Sequence, residues 1–378
     1  MTVRTMAEWA RRKGISLLGT GDFTHPAHLE DLTRDLRPQG NGLYSVEGIP
    51  EVSFMLTAEV SSIYSFGGRV RKVHNLIYAP DLGVVRKINM VLGGMGNIVS
   101  DGRPILGLSA KDLIKIVLDI SNDCLFVPAH VWTPWFSVFG SKSGFDSLEE
   151  CFQEYAKEVY AIETGLSSDP AMNWRISGLD RLTLLSNSDA HSPSKLGREA
   201  NVFDCSMDYY EIMDVIKTKD KSRFLCTIEF FPEEGKYHFD GHRECGISFT
   251  PDDTEKHKGI CPVCLRGLTV GVMNRVSELA DRAEGYIPTD AIGVKHAVPL
   301  QEIIASVFGA GVNTKKVRNE YDRITAVYSE FEALLDISAG QLQEVCDERV
   351  ARGVLRVRAG ALEIIPGYDG VFGKVSMR

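Results

Sequence analysis

Apolar positions change their period along the chain. Met6, Trp9 and Ala10 recur at helical spacing behind Thr5 and Glu8, a capping-box pair, and Gly14 predicts the stop. A short apolar run, Ile15–Leu18, then reads as a buried strand. From Phe54 to Pro80 two β-type runs flank Phe66-Gly67-Gly68 and predict a hairpin. A glycine-rich loop over Gly93–Gly107 leads to a helix capped by Ser109, with Leu113, Ile116, Val117 and Ile120 inward. Strand patterns at Leu125–Val127, Tyr160–Ile162 and Leu182–Ser186 alternate with helical ones around Ser147–Val159 and Tyr209–Lys217. This alternation over residues 1–222 predicts an α/β domain with a largely parallel sheet. Residues 223–285 turn β-rich and carry Cys and His. Residues 286–378 show helical periodicity around Leu300–Phe308 and Tyr321–Leu335, then a β-like tail at Val354–Gly373.

Composition narrows the class. With 44% hydrophobic and 25% charged residues over 378 positions, the chain is neither disordered nor fibrous. A core of that size needs no disulfides, so the eight cysteines are free for other work. No stretch approaches the ~20 apolar residues of a membrane span, and Met1–Gly14 is too charged for a secretory signal. The expectation is a soluble, cytoplasmic protein with no membrane partner. A net charge of −9 argues against coating nucleic acid through charge alone. It leaves room for a locally basic DNA site or an acidic metal pocket.

Acids and histidines gather at strand ends. Asp22 and Glu59 end two strands, His74 lies in the returning hairpin strand, and His130 and Glu163 each follow a strand. Asp189 and His191 close another and, two apart, leave the same face if extended. Loops at the carboxyl ends of the strands converge on one mouth in α/β barrels. Singly, such residues read as caps or loop histidines. Together, three imidazoles among carboxylates suit Zn²⁺, Mn²⁺ or Fe²⁺ better than Mg²⁺.

His242-x2-Cys245 and Cys261-Pro262-Val263-Cys264, separated by fifteen residues, have zinc-ribbon spacing. Four protein ligands make a structural site, with His238 a rival for the fourth position. After His130, Trp132, Trp135, Phe136 and Phe139 precede Ser141-Lys142-Ser143. Rings beside a basic, hydroxyl-rich patch suit stacked bases and held phosphates, or else form core under a long loop. Arg103, Lys142, Arg175, Lys195 and Arg198 flank the same mouth as phosphate clamps or plain surface charges. Gly93-Gly94-Met95-Gly96 lacks the spacing of a dinucleotide site, and no Walker-type Gly-Lys-Ser/Thr occurs.

The stretches Gly19-Thr20-Gly21-Asp22-Phe23-Thr24-His25-Pro26, Pro128-Ala129-His130-Val131-Trp132-Thr133-Pro134-Trp135 and Ser186-Asn187-Ser188-Asp189-Ala190-His191-Ser192-Pro193, with Glu59, His74, the cysteine insert and the tail Pro366-Gly367-Tyr368-Asp369-Gly370, resemble the polymerase and histidinol phosphatase (PHP) family. Within it they are similar to the endonuclease Q group, which nicks DNA 5′ to deaminated bases. The resemblance implies an irregular (β/α)7 barrel with a multinuclear metal site, a zinc-ribbon insert and a small α+β C-terminal domain that is a candidate for DNA binding. Asp22, Glu59, His74, His130, Glu163, Asp189 and His191 match its metal-site positions, with His25 a further candidate.

PHP chains open with a strand ending in His-x-His, and this sequence contains no His-x-His. Met1 falls in the connection that would follow that strand. The expectation is a longer form beginning about 15–25 residues upstream. The 378-residue form would then have unpaired strand edges, lower stability and little nuclease activity. The function the resemblance implies is a metal-dependent endonuclease acting on DNA with uracil, hypoxanthine or abasic sites, with Zn, Mn or Mg in the barrel and Zn in the ribbon. The alternatives are a small-molecule phosphoesterase on the same barrel, or a non-catalytic DNA-binding or adaptor protein.

Overall fold

The computed structural model describes residues 1–100 and 103–377. Asp101 and Gly102, within the predicted glycine loop, and Arg378, at the end of the predicted C-terminal domain, lie outside the described residues.

One long strand organises the first half. Ile49–Phe66 is almost continuously buried from Val52 to Val60, the mark of a strand covered on both faces. It turns back through Gly67 and Gly68, both at positive φ, into Arg69–Ala79. Two consecutive left-handed residues give the turn whose twist matches a two-residue hairpin. Pairing is antiparallel from Leu56–Ala79 to Phe66–Arg69. Leu17–Gly19 and Ile105–Leu106 join the same strand in parallel, Tyr44–Val46 joins it antiparallel, and Leu125–Pro128 extends the sheet beyond Arg69–Ala79.

The remaining strands are short and form separate open sheets. Ala161–Glu163 pairs with Thr183–Leu185 in parallel. Phe224–Glu229 is flanked by antiparallel Ala200–Phe203 and parallel Gly293–His296. Among the described residues these sheets do not close into one ring. Between Leu125–Pro128 and Ala161–Glu163 the ladder reduces to a bond from the Val131 N–H to the Glu163 carbonyl, 3.0 Å. The fold is therefore mixed α/β with open sheets, where an irregular (β/α)7 barrel lacking its first strand was expected.

Three local expectations change. The first helix is Val3–Lys13, and its cap is Thr2, whose hydroxyl accepts from the Thr5 N–H, rather than Thr5. Leu82–Met95 is a helix that runs through Gly93 and Gly94, because Val85, Ile88 and Leu92 bury one face. The β-like tail begins as the helix Glu348–Arg358, and only Glu363–Ile365 and Lys374–Ser376 pair as strands. Val350, Val354 and Val357 fill a core shared with Leu300, Ile303, Tyr321 and Leu342.

A buried ion pair joins the first helix to this C-terminal core. Lys13 lies in the apolar stripe of its helix, and its ammonium reaches Glu330 at 2.7 Å. Glu330 also accepts from the Tyr321 hydroxyl at 2.7 Å and the Leu300 N–H at 3.0 Å. Removing one partner leaves an uncompensated buried charge. Lys13→Met is expected to cost about 3–5 kcal/mol of unfolding free energy, read by urea denaturation. A loss below about 1 kcal/mol, the scale of an exposed pair, would show that the pair is not dry.

Candidate metal centres and cleft

Hairpin register brings two ligands together. Glu59 stands opposite Leu76 and Ser61 opposite His74, so Glu59 and His74 are diagonal neighbours on one face. His74 Nδ1 lies 3.0 Å from Glu59 Oε1. Leu125–Pro128 pairs with the same hairpin, and the Ala129 N–H bonds the His74 carbonyl at 3.0 Å, which sets His130 beside His74. The two rings approach at 3.1 Å, Nδ1 to Nε2, and His130 Nε2 is 3.4 Å from Glu59 Oε1. One ligand atom from each of Glu59, His74 and His130 thus falls within 4.8 Å of the others.

Their electrostatics suit a cation. Burial pushes the Glu59 carboxyl up, but His130 and His74 outweigh it and hold it well below the usual carboxylate range. Burial keeps His74 below its ordinary value despite Glu59. His130 is raised: burial opposes protonation, but the bond to Glu59 and the charges of Glu59, Glu163 and Asp189 prevail. The Arg103 guanidinium stands at the focus of these donors, its Nη1 2.8 Å from both Glu59 Oε1 and His74 Nδ1. A carboxylate and imidazole nitrogen already converging on one positive group fit a divalent ion in type and spacing.

The other predicted ligands surround this cluster. Asp22, Glu163, Asp189, His191 and His25 line the same cleft, of about 1340 Å³. Glu163 accepts from the His130 backbone N–H at 2.8 Å and the Asn187 amide at 3.0 Å. Burial pushes its carboxyl up to about 7, against the pull of His130. Asp22, His130 and Asp189 all have positive φ, at 45°, 30° and 42°. Such backbone costs about 1–3 kcal/mol per residue and concentrates at functional sites. Gly165 makes room for one of these turns, since a Cβ there would meet His130 Cβ at 2.5 Å. His25 caps the helix Pro26–Asp35 through its ring.

Supporting residues went unread in the sequence. Asn187 orients Glu163, and Thr133 Oγ1 meets His130 Nδ1 at 3.1 Å. Both lie inside motifs named above, but neither is itself an acid or imidazole. Arg198 holds the Asp189 turn through the Ser188 and Asp189 carbonyls at 2.9 and 3.3 Å.

The aromatic loop divides. Trp132 is 1% exposed, packs on Phe139 and donates to Asn173 at 2.8 Å, so it has no face for a base and belongs to the core. Trp135 is 40% exposed and meets Tyr237 edge-on. Lys142 is exposed, and Arg175 turns to Ser277 at 3.2 Å. Lys195 is paired with Glu302.

A second cluster lies in the insert. His242, Cys245, Cys261 and Cys264 offer ligand atoms within 4.8 Å of one another. His242 Nδ1 and Cys264 Sγ are 3.7 Å apart. Burial pushes the Cys261 thiol up, but the Cys264 and Val263 N–H groups bring it below the usual range, favouring the thiolate a metal needs. His238 stays outside, buried against Phe239.

Fold and site together define a mixed α/β protein with two candidate metal clusters, one of them in an open cleft. Solved structures show the same arrangement of chain. This protein is similar to the lesion-specific endonuclease PfuEndoQ of Pyrococcus furiosus, with a TM-score of 0.87 and 32% identity over 100% of this chain and 90% of that one. It is also similar to endonuclease Q in complex with a 27-mer duplex substrate carrying an abasic lesion at the active site, with a TM-score of 0.85 and 32% identity over 100% and 92%. The chain belongs to the endonuclease Q family.

Two further relatives match the chain. Uncharacterized protein YqxK of Bacillus subtilis is 29% identical over 98% of this chain and 91% of its own length. Uncharacterized protein MJ0043 of Methanocaldococcus jannaschii is 31% identical over 69% of this chain, and the match spans only 34% of that longer protein. The MJ0043 C-terminal domain family matches residues 299–361.

Cation uptake at the cleft must displace protons, because Glu163 titrates near 7 and His130 is raised. Both shifts weaken uptake as pH falls. Mn²⁺ affinity, by calorimetry in buffers of different ionisation enthalpy, is expected to be at least about tenfold higher at pH 8 than at pH 6, with proton release. Equal affinity without proton release would place the ion elsewhere.

Proposed function

We propose that this protein is a metal-dependent DNA repair endonuclease that hydrolyses the phosphodiester 5′ to deaminated bases or abasic sites. The observation that carries the reading is the whole-chain likeness to endonuclease Q, one example of which holds a duplex with an abasic lesion at its active site. Glu59, His74 and His130 would hold one cation, with Asp22, Glu163, Asp189 and His191 completing the site. Divalent ions bound there supply Lewis acidity toward the scissile phosphodiester and toward water.

The chain's own residues position this chemistry. Asn187 and the His130 N–H fix the Glu163 carboxylate, Thr133 fixes the His130 ring, and Arg198 fixes the Asp189 turn. Trp135 offers an exposed ring for an unstacked base, and Lys142 adds positive charge in the same loop. Arg103 adds positive charge at the cleft itself. The same reading divides the chain into a PHP-type metal domain over 1–222, a zinc-ribbon module over 223–285 and a C-terminal domain over 286–378. It also treats the open sheets as an irregular barrel whose strand ends face the cleft.

A small-molecule phosphoesterase fits less well, since a cleft of about 1340 Å³ exceeds the size of ordinary small-ligand pockets. The direct test is incubation with duplexes containing uracil, hypoxanthine or an abasic site, with Mn²⁺, Zn²⁺ or Mg²⁺. Lesion-dependent nicking is expected, and Glu59→Gln should lower it by at least about 100-fold, the scale of a lost transition-state contact. Turnover of phosphomonoesters without DNA binding would select the phosphoesterase, and salt-sensitive binding without incision would select the adaptor.

The insert gives a separate expectation. One zinc is expected to stay tightly bound when cleft ligands are replaced and to be lost on Cys261→Ser plus Cys264→Ser, by metal analysis. Unchanged zinc in the double variant would remove the ribbon from the account.

A further inference from the structure

The hairpin that carries Glu59 and His74 continues well past them. Its outer end, Ser65 to Val70, is exposed at six consecutive positions, with Phe66 39% and Val70 56% exposed. No Asp or Glu occurs from Val60 to Pro80, whereas Arg69, Arg71 and Lys72 do, in a chain of net charge −9. Two apolar side chains thus stand partly exposed at a solvated, basic ribbon tip.

The ribbon is braced. Arg71 bonds the Gly144 carbonyl and lies over Phe145 at 4.2 Å, and Phe66 packs on Phe145 at 5.8 Å. The Lys72 N–H reaches the Ser143 carbonyl at 3.3 Å, and its ammonium lies over Phe136 at 5.1 Å. Arg69 makes no ion pair among the described residues. A Cβ at Gly67 or Gly68 would meet nothing within 4 Å, so the tip stands clear of the body.

Resting on the endonuclease reading, we propose that this tip, Phe66–Val70, is a β-ribbon arm that grips the duplex flanking the incision point. Arg69 meets phosphates, and Phe66 and Val70 meet sugar and base edges in a groove, which a two-stranded ribbon fits. Seven residues separate Glu59 from Phe66 along one strand. At about 3.3 Å per residue the tip lies about 23 Å from Glu59. That distance is about 7 base pairs of duplex. The arm thus acts as a ruler, requiring duplex at that separation on one side of the lesion.

The test compares the full chain with Arg69→Ser plus Val70→Ser, keeping the Gly-Gly turn, and with Arg69→Lys. Lesion-free duplex binding is measured by anisotropy between 50 and 200 mM salt, ranges over which phosphate contacts are read. The double variant should bind about 3–10-fold more weakly, with the slope of log affinity against log salt reduced by about 1, at an unchanged melting temperature. Arg69→Lys should keep the slope. On a uracil-containing duplex, wild-type hydroxyl-radical protection should extend about 7 base pairs from the lesion on one side and shrink in the double variant. Identical affinity, slope and footprint in a folded double variant overturn the arm. A wild type that binds duplex but nicks no lesion overturns the endonuclease reading, and the salt slope still decides the arm. A wild type that binds no duplex overturns both.

Discussion

Backbone pairing along Ile49–Phe66 is the constraint on which the site depends. Four strands take their register from it directly, and Leu125–Pro128 takes its register from the returning arm. Because side chains alternate faces, a slip of one residue would turn Glu59 away from His74 and leave an acid facing core. The Gly67-Gly68 turn prevents that slip, since only residues tolerant of positive φ close a two-residue hairpin with the right twist. The cleft therefore inherits its geometry from a turn at the far end of the same ribbon.

Electrostatics then work against that fold rather than for it. Glu163 is buried and Glu59 largely so, beside two imidazoles, and three cleft residues hold left-handed backbone. Arrangements of this kind persist where surrounding packing over-determines them and where a ligand recovers the cost. Arg103 compensates part of the negative charge at Glu59, and a divalent ion would compensate more. The insert follows a different logic: four candidate donors converge in it, and a bound ion would tie that segment together.

Legibility in the sequence tracked periodicity. Glu59, His74 and His130 were readable because strand ends and one glycine turn fix where they fall. The convergence of His242, Cys245, Cys261 and Cys264 was readable from spacing alone. Val354–Arg358, the end of the helix Glu348–Arg358, was misread because its valines suit a strand as well as a helix stripe, and the neighbouring core decided. Leu82–Met95 was missed because Gly93 and Gly94 dominate its end locally while three apolar side chains hold it. Trp132 and Trp135 sit in one irregular loop with no period, so nothing local says which ring is core. The irregular barrel was legible only through resemblance, and the described sheets are open. Lys13 shows the converse: it went unread in the sequence, although it lies in an apolar helical register and its buried partner is more than three hundred residues away.

The central claim is that the hairpin register builds a cation seat at Glu59, His74 and His130. Anomalous diffraction from crystals grown with Mn²⁺, collected at energies that distinguish manganese from zinc, tests it most directly. The account predicts a manganese peak within bonding distance of Glu59 Oε1, His74 and His130, and a separate zinc peak among His242, Cys245, Cys261 and Cys264. A zinc peak at the insert with no peak at the hairpin cluster would contradict it.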